Sequence, residues 1–319
     1  MKALLFDGKI LSEVKCPIPK PAVNEVLIKT ILAGICNTDL EIIKGYMKFR
    51  GIPGHEFVGK VVESPDPNFM GKQVVGEINL ACGKCDFCLQ GLGMHCPQRS
   101  VLGIQDKDGV FAEYLTLPIQ NVHVVPAEID KLKTVFVEPL AAACEIMEQI
   151  HILPDYRVLV IGDGKLAQLI ARVLNLYTDN LLIVGKHPGK LELLNQKNIP
   201  AVHLNDFSQE KSKYHVVVEA TGNWDGWRMA MEMVRPRGFI VLKSTYAGDQ
   251  SFNPAPLVIN EVTVIGSRCG PFKKAFYHLQ KETVDPLDLI TKVLPFSKWQ
   301  DAFELAKKPD TLKVILEFK

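Results

Sequence analysis

Charge of one sign is what this sequence lacks most plainly. Its 37 lysines and arginines meet 36 aspartates and glutamates, a formal net charge of +1 over 319 residues. A surface so evenly balanced lacks the concentrated positive charge that holds nucleic acid or an anionic membrane. Long apolar runs are missing too, since none approaches the ~20 residues of a bilayer-spanning helix. At the start, MKALLFDGKILSEVK puts Asp7 and Lys9 where a secretion signal would continue its apolar run. The expectation is a cytoplasmic protein with no nucleic-acid partner and no membrane.

Cysteine is thinly spread except in one place. Of eight in the chain, four fall within the stretch CGKCDFCLQGLGMHC, at Cys82, Cys85, Cys88 and Cys96. In a reducing compartment such clusters are more often metal sites than disulfides. Short loops let four thiolates converge on one ion, and structural zinc prefers four tetrahedral ligands. An iron–sulfur cluster competes; Pro97 follows Cys96, but no second cysteine cluster stands nearby. A closed zinc site of this kind holds a loop and, having no open position, cannot activate a substrate. The chemistry must lie elsewhere.

Two rhythms divide the chain. From Met1 to about Pro126, short alternating runs such as EVLIKTILAG, HEFVGKVVE and FAEYLTLP are broken by Gly, Pro and Asn, as in an antiparallel, barrel-like β domain. After Pro154 the rhythm changes to RVLVIG, a continuous apolar run expected of a buried parallel strand, followed by KLAQLIARVLNLY with Leu166, Leu169, Ile170 and Val173 on one helical face. LLIVG, AVHL, YHVVVEATG, GFIVLKST and EVTVIGSR continue the alternation. Six strands with helical crossovers predict an α/β, doubly wound parallel sheet of the Rossmann type. The closing FSKWQDAFELAKK and LKVILEFK read as helix then strand, returning to the first domain.

The first strand of the second half runs into GDGKLA, with Gly162, Gly164 and Ala167 in a G-x-G-x-x-A pattern. Gly162 permits the tight turn, Gly164 lets backbone approach a pyrophosphate, and Ala167 lets helix and strand pack closely. Its place between strand and helix is the context that gives the motif meaning. An acidic residue about 20 positions on would bind the ribose hydroxyls of NAD. The chain offers Gly185, Lys186 and His187 there, so no carboxylate in that stretch repels a 2′-phosphate and Lys186 can attract one. NADP is therefore expected somewhat ahead of NAD, the alternative being that Lys186 and His187 form only a solvated loop.

GICNTDLE and GIPGHEFVG, in the first half, add Cys36 and His55. Singly, each reads as a packing residue; their pairing, one beside a hydroxyl and a carboxylate and the other beside Glu56, changes the odds. These two motifs, the four-cysteine loop, VFVEPLAAA, GDGKLA, VVVEATG and WQDAFELAKK occur in an order that resembles the zinc-dependent medium-chain dehydrogenase/reductase superfamily of alcohol, polyol and glucose dehydrogenases. The likeness spans essentially the whole chain. It implies a GroES-like β-barrel catalytic domain over 1–135, carrying the structural-zinc lobe at 82–96 and completed by 270–319, with a Rossmann domain over 136–269.

The resemblance also implies two zinc ions per chain. The catalytic one would be held by Cys36 and His55, with Glu56 and Glu138 sharing or exchanging a further position, and the substrate would enter a cleft between the domains. Cys36 thiolate, neutral His55 and one carboxylate bring Zn²⁺ to zero charge, so two tightly bound carboxylates would blunt its acidity. Asp39 is expected to orient His55. Thr38 stands where the family uses a hydroxyl to take the substrate proton. Glu41 replaces a histidine found in many alcohol dehydrogenases, leaving three readings: it binds substrate hydroxyls, passes protons or faces water. Lys165 and Leu166 in the glycine turn, Thr221 and Gly222, and backbone groups of Gly266, Ser267 and Arg268 are implied at the cofactor. The activity implied is reversible hydride transfer between the carbinol carbon of an alcohol, polyol or sugar and NAD(P), in a homo-oligomer (dimer or tetramer). A zinc-dependent interaction module and a catalytically silent nucleotide sensor are the rivals. Cys16, Cys144 and Cys269 have no companions at ligand spacing and are expected in the core, with Trp224 and Trp227 packing a helix.

Overall fold

A computed structural model describes residues 1–208, 211–245 and 251–319. The chain divides into two compact units, Met1–Glu138 with Asp285–Lys319, and Pro139–Val284. Among the described residues no helix is long and apolar enough to cross a membrane.

The first unit begins with an antiparallel ribbon, β1 (Lys2–Phe6) and β2 (Leu11–Lys15). Its main sheet is organised on β3 (Glu25–Ile35), a β-branched-rich strand buried along most of its length. Next in the chain come β4 (Glu56–Glu63), β5 (Gln73–Gly76), β6 (Asn79–Leu80), β7 (Ser100–Leu102), β8 (Asp106–Lys107), β9 (Tyr114–Pro118) and β10 (Val122–Val124). β3 pairs antiparallel with β4 and β9, and β4 with β5, while β6, β7 and β8 form a small separate sheet beside the cysteine loop. In the β3–β4 register Gly34 faces Glu56, and a Cβ on Gly34 would lie 2.6 Å from the Glu56 carboxylate. Glycine makes room there for a buried acid.

The second unit is one six-stranded parallel sheet. Its strands are β11 (Val158–Ile161), β12 (Leu181–Gly185), β13 (Ala201–His203), β14 (Tyr214–Glu219), β15 (Val234–Leu242) and β16 (Thr263–Gly266), in the order β13-β12-β11-β14-β15-β16. That is the 3-2-1-4-5-6 arrangement of the doubly wound dinucleotide fold, as the alternating pattern predicted. All four residues of β11 are buried, each contributing about 1.5–3 kcal/mol of apolar burial. The helix Lys165–Leu174 differs from the expected one-faced helix: Ala167 to Leu174 are all buried, Gln168 and Arg172 included, while Leu166 is only half-buried. Gln168 is accommodated because its amide donates to the Lys190 carbonyl at 2.9 Å. Trp227 joins Ala230, Met233 and Ile240 in this unit's core.

The chain then returns. β17 (Ile290–Pro295) and β18 (Lys313–Glu317) pair in parallel, and β18 pairs antiparallel with β3, extending the first unit's main sheet. The segment 270–284 clusters with the parallel sheet rather than with this return, so the crossing falls at Asp285 instead of 270. Packing explains the shift: a Cβ on Gly270 would lie 2.0 Å from the Ala141 carbonyl, and Phe272, Ala275 and Leu279 are buried along the helix Phe272–Gln280.

Candidate functional site

Two segments of the first unit bring unlike ligands together. Cys36 follows β3 and caps the helix Asn37–Ile43, while His55 directly precedes β4 and Glu56 opens it. One potential ligand atom from each of Cys36, His55 and Glu56 lies within 4.8 Å of the others. A thiolate, an imidazole and a carboxylate, buried or half-buried, form a donor set suited to zinc. Asp39 joins the two segments. It is fully buried; its Oδ2 accepts from the Cys36 backbone N–H at 2.8 Å, and its Oδ1 faces His55 Nδ1 at 3.3 Å. One carboxylate thus caps the helix and orients the imidazole, leaving Nε2 as the ring atom for a metal. Burial works to lower the pKa of His55, but the charges of Asp39 and Cys36 outweigh it and hold the metal-free imidazole well above its ordinary value. Metal uptake must therefore displace a proton.

A residue that sequence reasoning missed stands against this group. Glu56 Oε2 accepts from the Lys313 ammonium of β18, and both side chains are almost wholly inaccessible, at 1% and 2% exposure. Burial pushes the Lys313 pKa down, yet Glu56 and then Cys36 more than reverse it, leaving it raised. The ammonium also lies 5.5 Å from the Phe136 ring centroid. Lys313 changes the expected charge count: with Glu56 neutralised by a lysine, Zn²⁺ and Cys36 leave room for one more negative ligand. The available signal was a lone lysine inside the apolar strand KVILEF, where a charge is costly unless paired.

The other expected members divide. Thr38 is half-buried, its hydroxyl 3.8 Å from the Cys36 sulfur, so it stands beside the ligand group. Glu138, in the helix Val137–Gln149, does not join the three ligand atoms within the 4.8 Å radius. Glu41 pairs with Lys44 at 2.9 Å across one helical turn, both well exposed, which favours the reading in which it faces water.

The cysteine loop has the geometry of a cage. Cys82, Cys85, Cys88 and Cys96 converge, with sulfur separations of 3.9 Å for Cys82–Cys88, 3.5 Å for Cys85–Cys88 and 3.7 Å for Cys85–Cys96. Sulfurs each about 2.3 Å from a central zinc would stand about 3.8 Å apart, whereas a disulfide needs about 2.05 Å. Backbone N–H groups of Lys84 and Cys85 point at Cys82 and lower its pKa to about 6, the ionisation a metal ligand requires. Cys88 is pushed up to about 11 by desolvation and by its thiol neighbours, a penalty a cation would remove. All eight cysteines are free. Cys144 is buried, and burial raises its thiol to about 12, while Cys16 and Cys269 are half-buried rather than in the core.

In the second unit the glycine turn is shaped for a phosphate. Gly162 has φ +122°, and a Cβ there would lie 2.7 Å from the Ala220 carbonyl, so only glycine fits. Gly164 caps the helix Lys165–Leu174, and open space stands where its Cβ would be, as it does at Gly222 and Gly266. Ala167 packs with 1% exposure. Backbone lies bare at these three glycines, as close approach of a dinucleotide requires. The Thr221 N–H donates to buried Glu219 at 2.7 Å and the Gly222 N–H to Ser244 at 2.8 Å. The Lys243 ammonium fixes 267–268 by donating to Ser267 Oγ and the Arg268 carbonyl. One expectation is corrected: a carboxylate does stand at the end of β12. It comes from Asp163, inside the glycine turn, whose Oδ2 accepts from the backbone N–H of Lys186 at 2.6 Å and of His187 at 2.8 Å. Reading the sequence forward from β12 could not find a group that arrives from the neighbouring strand.

Known proteins resemble this chain over most of its length. Residues 22–127 match the alcohol dehydrogenase GroES-like domain family. The chain is 30% identical to the L-threonine 3-dehydrogenase of Pyrococcus abyssi over 96% of its length and 94% of that protein's. It is 26% identical to the sorbitol dehydrogenase of Halalkalibacterium halodurans, covering 94% and 93%. Among solved structures, an alcohol dehydrogenase of Escherichia coli CFT073 complexed with NADH superposes with a TM-score of 0.93 at 26% identity, over 100% of this chain and 99% of that one.

Proposed function

The chain belongs to the zinc-dependent medium-chain dehydrogenase/reductase superfamily, and from that premise we propose that it transfers a hydride reversibly between the carbinol carbon of an alcohol, polyol or sugar and NAD(P). The observation that carries this reading is the meeting of Cys36, His55 and Glu56 around one point, in a chain that also has a phosphate-binding glycine turn. Relatives named for sorbitol and L-threonine support a hydroxylated substrate.

Cys36, His55 and one or both of Glu56 and Glu138 would hold the catalytic zinc, and the four-cysteine cage a second, structural one. Zinc in the first site supplies Lewis acidity to an alcohol or carbonyl oxygen. The rest is done by side chains of the chain. Asp39 keeps the imidazole turned and its charge balanced. Lys313 holds the Glu56 carboxylate, so a ligand can be retained or released without leaving a bare buried charge. Thr38 takes the hydroxyl proton, the role its position beside Cys36 allows. The glycine turn at Gly162 and Gly164 receives the pyrophosphate at a helix N-terminus, with Lys165, Leu166 and Ala167. Thr221, Gly222, Gly266, Ser267 and Arg268 line the same cofactor. The choice of dinucleotide turns on two charges, exposed Lys186, which draws a 2′-phosphate, and buried Asp163, which repels one. The assembly is proposed to be a homo-oligomer in the cytoplasm.

Metal analysis of protein purified without chelator, followed by NAD⁺ and NADP⁺ reduction assays across alcohols, polyols and aldoses, tests the reading. Two zinc atoms per chain and turnover of at least one class are expected. A fully loaded preparation with one metal atom, confined to the thiolate cage, would overturn it.

A further inference from the structure

β12 ends at Gly185, the place where a dinucleotide fold ordinarily carries the acid that receives the adenosine ribose. The structure puts another acid into that space. Asp163 is 5% exposed, its Oδ2 accepts two backbone N–H groups from Lys186 and His187, and its Oδ1 lies 2.9 Å from His187 Nδ1. A Cβ on Gly185 would stand 2.4 Å from Asp163 Oδ2 and 2.6 Å from its Cβ. A side chain at 185 and the carboxylate of 163 therefore exclude each other, and one acid takes the place of the other.

We propose that Asp163 supplies through space the carboxylate that β12 lacks, and that its charge, more than Lys186, sets the choice of dinucleotide in favour of NAD(H). The inference rests on the dinucleotide reading above and deepens it. Each carboxylate oxygen accepts about two hydrogen bonds, and Oδ1 meets only the His187 ring, so it retains capacity for a ribose hydroxyl. A 2′-phosphate offers no such proton and brings like charge. The cation that favours the phosphate is Lys186 on the turn; Lys190, on the following helix, is buried. Lys186 is exposed, where solvent and salt screen its charge and its long side chain moves freely. Asp163 is held rigid in a poorly screened position. The geometry favours the acid.

The test is titration of the purified, zinc-loaded protein with NADH and NADPH, followed by nicotinamide fluorescence or calorimetry, so that binding is read without turnover. The wild type is expected to bind NADH more tightly. Asp163→Asn, which keeps the shape and removes the charge, should move the affinity ratio roughly tenfold toward NADPH, with Lys186→Ala moving it less. Asp163→Gly combined with Gly185→Asp relocates the acid to β12 and should restore the wild-type ratio; it carries the test if Asp163→Asn does not fold. Binding of both nucleotides with a ratio unchanged by Asp163→Asn, or a double variant that has lost the preference, overturns this inference alone. A folded wild-type protein that binds neither nucleotide overturns the dinucleotide reading and this inference with it.

Discussion

The two ligand clusters differ in how they are made. The cage takes four identical donors from a single loop, half-exposed, with every sulfur facing another sulfur. The Cys36 cluster takes three unlike donors from two strand ends, with an acid on one side and a buried lysine on the other. A set of four thiolates completes a tetrahedron and can only hold. Three mixed ligands would leave a bound metal unsaturated, and the surrounding charges would decide how unsaturated. On the proposed reading, structure and chemistry are divided between the clusters, and substitution can separate them.

The largest effect should come from cutting one thiol in each. Cys36→Ala is expected to abolish turnover by roughly a thousandfold or more, since Lewis-acid stabilisation is worth several kcal/mol, while thermal stability changes little. Cys85→Ser should do the reverse, lowering the melting temperature and exposing 82–96 to protease, with activity falling only as folded protein is lost. Metal analysis should read one zinc per chain in each variant. Equal loss of activity per folded molecule in both would erase the distinction.

Next comes Lys313→Met, which leaves Glu56 buried without its counter-charge. Removing one partner of a buried pair costs about 3–5 kcal/mol, so the zinc-free variant should melt well below the wild type. Adding zinc should recover part of the loss, because the metal offers Glu56 another positive partner. No such recovery is expected for any variant of the cage-flanking surface. A zinc-independent loss would show that Lys313 serves packing alone.

Asp39→Asn should be milder. Loss of an acid that orients a metal-bound imidazole costs about 10–100-fold in metal affinity. The sign of its pH effect can be worked out. Asp39 helps raise the His55 pKa, so metal loading of the wild type improves as pH rises through that raised value. Removing Asp39 lowers it, and the loading midpoint should move to lower pH although the plateau affinity is weaker. Calorimetry in two buffers of different ionisation enthalpy measures the proton released.

Legibility in the sequence follows the same division. The cage could be read from spacing because all its ligands share one loop. The parallel sheet could be read because each strand announces itself locally as an apolar run. Cys36 and His55 lie 19 positions apart in the numbering, and only the likeness to known dehydrogenases joined them before the β3–β4 register did. Lys313 and Asp163 escaped because their partners are set by strand neighbours: β18 beside β3, and β11 beside β12. Pairings of this kind are fixed by the sheet order, which no local window of sequence contains.

Glu41→Gln should have the smallest effect, and it bears on how far the active cluster extends. The helix Asn37–Ile43 carries Asp39 inward and Glu41 outward. Glu41 is 41% exposed and Lys44 68% exposed, and a pair so open to solvent is worth only about 0.3–0.5 kcal/mol. If its carboxylate serves only that pair, turnover and KM should stay within about twofold of wild type, and the melting temperature should fall by no more than about 1–2 °C. A fall in turnover with KM unchanged would instead make Glu41 part of the proton path, and a rise in KM confined to polyols would make it a substrate contact. Either result would move the boundary of the chemical cluster one turn further along the helix, out to a face that is exposed in the present structure.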